Sequence, residues 1–261
     1  MKTGRKDLVL ASSAGTYTEQ PPLARLAVHF RCTWSHTLPS DFDKNVAVVP
    51  DGCSDIIWSR QGLFVAGPDR TTAFPPLQAG ETVIGIRFQP GAAANWLKLS
   101  MAEITGQTVA LADVWGADGH ELHERLCGKA STAERLALLQ GTLERRSADV
   151  TAPSRDMRQT FEHLARRSNG GPQTIETLTR TLGYGERTFR RRCLEHFGYG
   201  PKTLDRILRF QRLLSLLRTN RRDALSILAV DAGYADQAHM CREVQMLAGF
   251  SPAEIRRQSA A

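Results

Sequence analysis

The spacing of hydrophobic positions changes character along this chain, from short β-like runs in the front part to helical stripes behind. The runs Leu26-Ala27-Val28-His29-Phe30, Val46-Ala47-Val48-Val49, Asp55-Ile56-Ile57-Trp58, Leu63-Phe64-Val65 and 83–88 are separated by the turn-rich Pro50-Asp51-Gly52, Arg60-Gln61-Gly62, Gly67-Pro68-Asp69 and Gln78-Ala79-Gly80. Short strands at this spacing predict a small antiparallel barrel or sandwich over residues 23–116. After Pro90-Gly91 the pattern turns helical, over 92–99, an apolar segment 109–115, and about 119–127 and 132–146. Thr151-Ala152-Pro153-Ser154 reads as a linker whose Ser154 caps a helix over 155–167, which Ser168-Asn169-Gly170-Gly171-Pro172 ends. Residues 117–168 thus read as a helical connector. The first 22 residues, small, polar and broken by glycine and Pro-Pro, read as a mobile tail.

Behind the connector, Thr174 is placed to cap a short helix with Ile175, Leu178 and Leu182 on one stripe. Gly183-Tyr184-Gly185 breaks it, and Glu186 opens a second helix at the positive end of its dipole. On that helix, about 186–197, Phe189, Cys193 and Phe197 share one face and Arg187, Arg190 and Arg191 another. An arginine face alone reads equally well as an ordinary solvated surface. A second copy of the pattern tips the balance. Ile227, Leu228 and Val230 form a short apolar helix, Gly233-Tyr234 repeats the break 50 residues on, and a helix of about 236–248 follows with Met240, Val244 and Leu247 inward. Each second helix closes on a glycine and then a proline, Gly198 with Pro201 and Gly249 with Pro252, so one supersecondary unit is repeated. Between the copies, 201–219 forms one long helix with Leu204, Ile207, Leu208, Leu213, Leu214 and Leu217 on a broad stripe.

Composition sharpens this division. The 261 residues suit two domains, and the net charge of +7 is unevenly placed: 15 basic and 16 acidic residues precede Pro153, and 19 basic and 11 acidic follow it. A basic module is joined to a nearly neutral one. The five cysteines, Cys32, Cys53, Cys127, Cys193 and Cys241, are scattered, which suits reduced thiols and gives no zinc-site spacing. No apolar run has the length of a signal sequence or a membrane span, so a soluble cytoplasmic protein is expected.

The last 90 or so residues resemble the DNA-binding domain of AraC-family transcription regulators. The matching features are the helix from Arg187 to Phe197, Gly198 with Pro201, the RILRFQRLLSLL segment from Arg206, Ala229 to Ala232 followed by Gly-Tyr, and Gly249-Phe250-Ser251-Pro252. The resemblance implies, over 169–261, an all-α domain of two helix-turn-helix units joined by a central helix; with the small antiparallel β-barrel or sandwich and trailing helices read from the spacing in front, the chain is expected to be α+β. It implies no enzyme and no cofactor. Its partners would be double-stranded promoter or operator DNA, a small-molecule effector or a homodimer contact through the front domain, and RNA polymerase for an activator. Position by position, Arg187, Thr188, Arg190 and Arg191 of the first unit and Gln237, Ala238, His239 and Arg242 of the second become the DNA-binding candidates. Arginine pairs bidentately with guanine and glutamine with adenine, while alanine touches only a thymine methyl. Glu243 beside Arg242 is expected to repel phosphate, so the second unit is expected to add less specificity.

PDGCSDIIW, FVAGPDR, GIRFQPGAAANWL and VALADVWG, over roughly 45–116, resemble a poorly characterised domain often found ahead of AraC-type DNA-binding domains and a distant relative of cupin barrels. The resemblance implies a sensing or dimerising role and names no ligand. Cys53 between Asp51 and Asp55 suggests either a reactive thiol, as in repair regulators that accept alkyl groups, or turn chemistry beside a small core residue; the latter fits Asp-Gly better. His29 and His36 lack the close pairing of metal ligands. Trp34, Trp58, Trp96 and Trp115 suit a pocket wall or a core. A non-specific architectural DNA binder is the remaining alternative.

Overall fold

A computed structural model describes residues 8–166 and 175–259. The expected cap at Thr174, the stop at 168–172 and the first seven residues lie outside them. The front half is built on a six-stranded antiparallel sheet in the order β2-β3-β7-β5-β6-β8, where β2 is Thr16–Gln20, β3 Phe30–Thr37, β5 Asp55–Ser59, β6 Gly62–Ala66, β7 Thr82–Phe88 and β8 Thr108–Ala110. A separate parallel pair joins β1, Leu8–Leu10, to β4, Asn45–Ala47.

Four of the five sequence-predicted strands appear close to their expected limits. The fifth does not: 26–30 is a turn with a 3-10 segment at Ala24–Leu26, and the strand begins at Phe30. Leu26 and Phe30 are both buried because they lie four apart on that turn. β3 was hidden because its mixed sequence FRCTWSHT takes its ladder from β2 and β7, partners remote in the chain. Residues 8–20 carry β1 and β2, so the mobile tail expected over 1–22 is corrected across that stretch. β2 is exposed along its length and is held by pairing Tyr17 with His36 and Glu19 with Trp34.

The front core lies between this sheet and the helices after it. Phe30 stacks on Phe88 and Trp96 packs tilted against it, with centroids 4.8 Å apart in both pairs. Trp96 is carried on α1, Ala93–Leu97. The expected apolar segment 109–115 divides into β8 and α2, Leu111–Trp115. α3, Ala117–Cys127, and α4, Thr132–Arg146, add Leu122, Leu126, Leu139 and Leu143 to the same core. α5, Arg155–Arg166, instead sends Met157, Phe161 and Leu164 into the rear core, and Ser154 caps it by accepting from Met157 N at 3.2 Å. The stretch read as one connector is therefore shared between two cores.

The rear half is helical throughout: α6 Ile175–Thr181, α7 Glu186–Phe197, α8 Pro201–Thr219, α9 Leu225–Ala232, α10 Gln237–Ala248 and α11 Pro252–Gln258. α11 was not anticipated. Its signal was present, since Ser251 and Glu254 form a capping box with Pro252 in the first turn. All six stripe residues expected on α8 are buried, with Phe210 added, and they bridge the two units in one continuous core. On α9 only Leu228 of the three expected apolar residues is buried; Ile227 and Val230 are exposed.

Candidate nucleic-acid interface

The internal repeat holds at the level of single backbone hydrogen bonds. Gly183 and Gly233 both adopt positive φ, 70° and 96°. Gly183 N donates to Arg180 O and Tyr184 N to Thr179 O, each at 3.0 Å; Gly233 N donates to Val230 O and Tyr234 N to Ala229 O, each at 2.9 Å. This is one helix-ending motif used twice, with glycine supplying the left-handed residue and tyrosine the inward anchor. Tyr184 stacks on Phe189 and donates its hydroxyl to Asp156, a bond that raises its pKa. Tyr234 is fully buried. The following helices α7 and α10 end alike, on Gly198 at φ 80° and Gly249 at φ 73°.

α7 buries Phe189, Cys193 and Phe197 and leaves Arg187, Arg190 and Arg191 in solvent, with Thr188 half-buried. Among the described residues these three arginines hold no ion pair. Burial pushes the Cys193 thiol up to about 12, consistent with a core role. α10 is capped by Asp236, which accepts from His239 N at 2.6 Å, and exposes Gln237, Ala238 and Arg242. His239 is turned back: its Nδ1 accepts from Ala235 N at 3.4 Å and its ring meets Tyr234 edge-on at 5.4 Å.

Glu243 corrects the expectation of a repelling charge. Its side chain is only 5% exposed, and it accepts from Arg206 Nε at 3.0 Å and from Arg209 Nε and Nη2 at 3.2 Å. Both arginines come from α8, so this carboxylate fastens α10 to the central helix and turns away from solvent.

The front domain reaches this unit directly. Residues 67–73 carry the GPDR turn, and Thr72 donates from its backbone N to Leu247 O at 3.0 Å and from Oγ1 to Ala248 O at 2.8 Å, at the end of α10. Thr105 Oγ1 and Arg70 Nη2 donate to Gly198 O, at 2.9 and 3.4 Å, at the end of α7. Beside these contacts a cavity of about 290 Å³ is lined by Asp69, Arg70, Thr72, Thr105 and their neighbours. The PDG turn lies against the helical core: Gly52 faces Phe161, Leu204 and Tyr199, and Gln211 Nε2 donates to Pro50 O at 2.7 Å. β1 is tied to α11, where Gln258 Oε1 accepts from Leu10 N at 2.8 Å.

Arg87 organises the PDG turn from beneath, meeting Asp51 and Asp55 each at 3.1 Å, while Trp34 Nε1 donates to Asp55 at 3.1 Å. Burial strips the guanidinium of hydration, but the two carboxylates outweigh that and keep it firmly protonated. Asp51 accepts from Cys53 N at 2.9 Å, the turn chemistry expected there. Burial, then the Asp51 carboxylate, raise the Cys53 thiol, which leaves it a poor nucleophile. The four tryptophans serve packing: Trp96 lies in the core, Arg135 and Arg146 cover Trp58 and Trp115 at 4.5 and 4.2 Å, and Trp34 crosses Gly85. His36 abuts the Ala14 carbonyl, and burial lowers the His29 pKa.

The sequence marked both α7 and α10 but not Thr72, Thr105, Arg70 and Gly198 as a connected group. The GPDR motif was visible, yet the helix-end carbonyls its loop meets, those of Gly198, Leu247 and Ala248, lie more than 120 residues away.

Residues 178–258 match a family described as a helix-turn-helix domain, and residues 18–110 a domain of unknown function. No curated protein matches. Among solved structures, a probable AraC family transcriptional regulator from Rhodopseudomonas palustris is 24% identical, covering 41% of this chain and 98% of its own, with a TM-score of 0.36. The C-terminal domain of AraT, a response regulator from Geobacillus stearothermophilus, is 19% identical over 40% of this chain and 85% of its own, at 0.37. ToxT from Vibrio cholerae is 10% identical over 94% of this chain and 97% of its own, at 0.46. No helix among the described residues is long and apolar enough to cross a membrane.

Proposed function

We propose that this chain, which carries an AraC-type helix-turn-helix domain behind a domain of unknown function, is a sequence-specific DNA-binding regulator of transcription. The observation that carries the reading is the doubled helix–Gly–Tyr–helix unit with an open arginine face on α7 and exposed Gln237 and Arg242 on α10. α7 and α10 enter adjacent major-groove segments. Arg187, Arg190 and Arg191 read guanine edges or bind phosphate, with Thr188 beside them, and Gln237 and Arg242 serve the second segment with Ala238 against a thymine methyl. His239 supports the start of α10. The front domain modulates binding, through a small-molecule effector or a homodimer contact, because its loops touch both recognition helices.

The test is binding of the full chain to a duplex it selects from a randomised pool, against a scrambled duplex, across a salt series. A preference of about a thousandfold or more for the selected duplex, largely lost in Arg191→Ala, is the expected result. Equal binding with one shared steep salt slope would mean that the arginines only neutralise phosphate.

A further inference from the structure

The two recognition helices are joined twice. One link is α8, which runs on from α7 through Gly198 and Pro201 and is pinned to α10 by Glu243. The other belongs to the front domain: residues 67–73, with Thr105 beside them, donate to Gly198 O past the last turn of α7 and to Leu247 O and Ala248 O in the last turn of α10. Hydroxyl and guanidinium donors suit these sites, because the last carbonyls of a helix have no partner within it and carry its negative dipole end.

The loop that makes these contacts is itself fixed at both ends. Gly67 N donates to Gln107 O at 2.9 Å and Gly106 N to Pro68 O at 3.1 Å, while Val48 and Ala73 exchange two bonds at 2.9 Å. At its first end Pro68 lies so close that a Cβ on Gly198 would stand 2.6 Å from its ring and 2.5 Å from Thr105 Oγ1. A loop held this way transmits position rather than yielding.

We propose that residues 67–73 and Thr105 form a clamp that sets the separation of α7 and α10, making Thr72 and Thr105 positioning residues for the spacing of the two DNA segments the protein accepts. This rests on the DNA-reading function above. It assigns the front domain a part in specificity without a DNA contact of its own: α8 and the clamp both meet the C-terminal end of α7 at Gly198, and the clamp adds a second hold on α10, at its last turn, beside the Glu243 anchor. A half-open cavity lies against Arg70, Thr72 and Thr105, beside the clamp.

The experiment uses the full chain and the duplex it selects from a randomised pool, with one or two base pairs inserted between the two contacted segments. Each insertion shifts one segment by about 3.4 Å along the axis and about 35° around it. Wild type should lose about tenfold or more in affinity per insertion. The Thr72→Val/Thr105→Val variant, which keeps shape and removes both hydroxyl donors, should bind the native spacing within about fivefold of wild type yet discriminate the inserted duplexes by no more than about threefold. Thr72→Ser/Thr105→Ser, with the hydroxyls kept, should restore discrimination. If the valine variant weakens on all spacings alike and keeps wild-type discrimination, the clamp is overturned while the DNA reading stands. If wild type itself selects no sequence, the DNA reading fails and the clamp with it.

Discussion

Arg209 donates to both carboxylate oxygens of Glu243, Nε to Oε1 and Nη2 to Oε2 at 3.2 Å each, joining the central helix α8 to α10. Arg206 adds a third bond. Glu243→Ala would leave two guanidiniums facing each other beside a buried gap, at a cost of about 3 kcal/mol. Urea unfolding of the variant should show this loss. A rise in DNA affinity with stability unchanged would instead restore the repelling role that the sequence suggested.

With Glu243 turned inward, Arg242 meets solvent unopposed. Arg242→Ala and Arg187→Ala are therefore expected to weaken binding to the selected duplex by similar factors, each about tenfold or more. A loss confined to Arg187→Ala would return the second unit to a minor role.

Glycines of the same backbone class should differ sharply in tolerance. Gly198→Ala places a methyl 2.5 Å from Thr105 Oγ1 and 3.0 Å from Met101 O at φ 80°, whereas at Gly183, φ 70°, no atom of the described residues lies within 4 Å of an added Cβ. Thermal unfolding should register about 1 kcal/mol for Gly183→Ala, from the left-handed backbone alone, and clearly more than about 2 kcal/mol for Gly198→Ala, where the clamp must also move.

Burial, and then the Asp51 carboxylate, push the Asp69 carboxyl up to about 6. A raised carboxyl pKa means that the folded state holds its proton over a range where the unfolded chain has released it. The contribution to stability is complete below the unfolded value near 4 and is lost as pH rises through about 6. Asp69→Asn should flatten this part of the pH–stability curve and raise the melting temperature at pH 7. An unchanged curve would show the carboxyl to be effectively solvated.

The sequence by itself determined whatever rests on neighbours along the chain. α7, α8 and α10 appeared within a residue or so of expectation, because their burial stripes, glycine ends and prolines are all local signals. The repeated Gly-Tyr break foretold two equivalent turns, since only glycine takes the required φ cheaply and each tyrosine has a helix to pack on. The arginine face of α7 was equally legible, because a helix face follows from residue spacing alone.

What only the tertiary structure decided depends on partners remote in sequence. β3 owes its ladder to β2 and β7, and α5 its allegiance to a core built mainly by the helices that follow it. Glu243 reads as a surface charge on its own helix; two arginines more than 30 residues back make it an anchor. The front segments PDG and GPDR read locally as turns; in the structure they are irregular loops with a bend at Gly52 and at Arg70. That one rests on Tyr199 and the other touches the ends of α7 and α10 follows from docking, where shape and unpaired helix carbonyls select the partner and no local pattern records the choice.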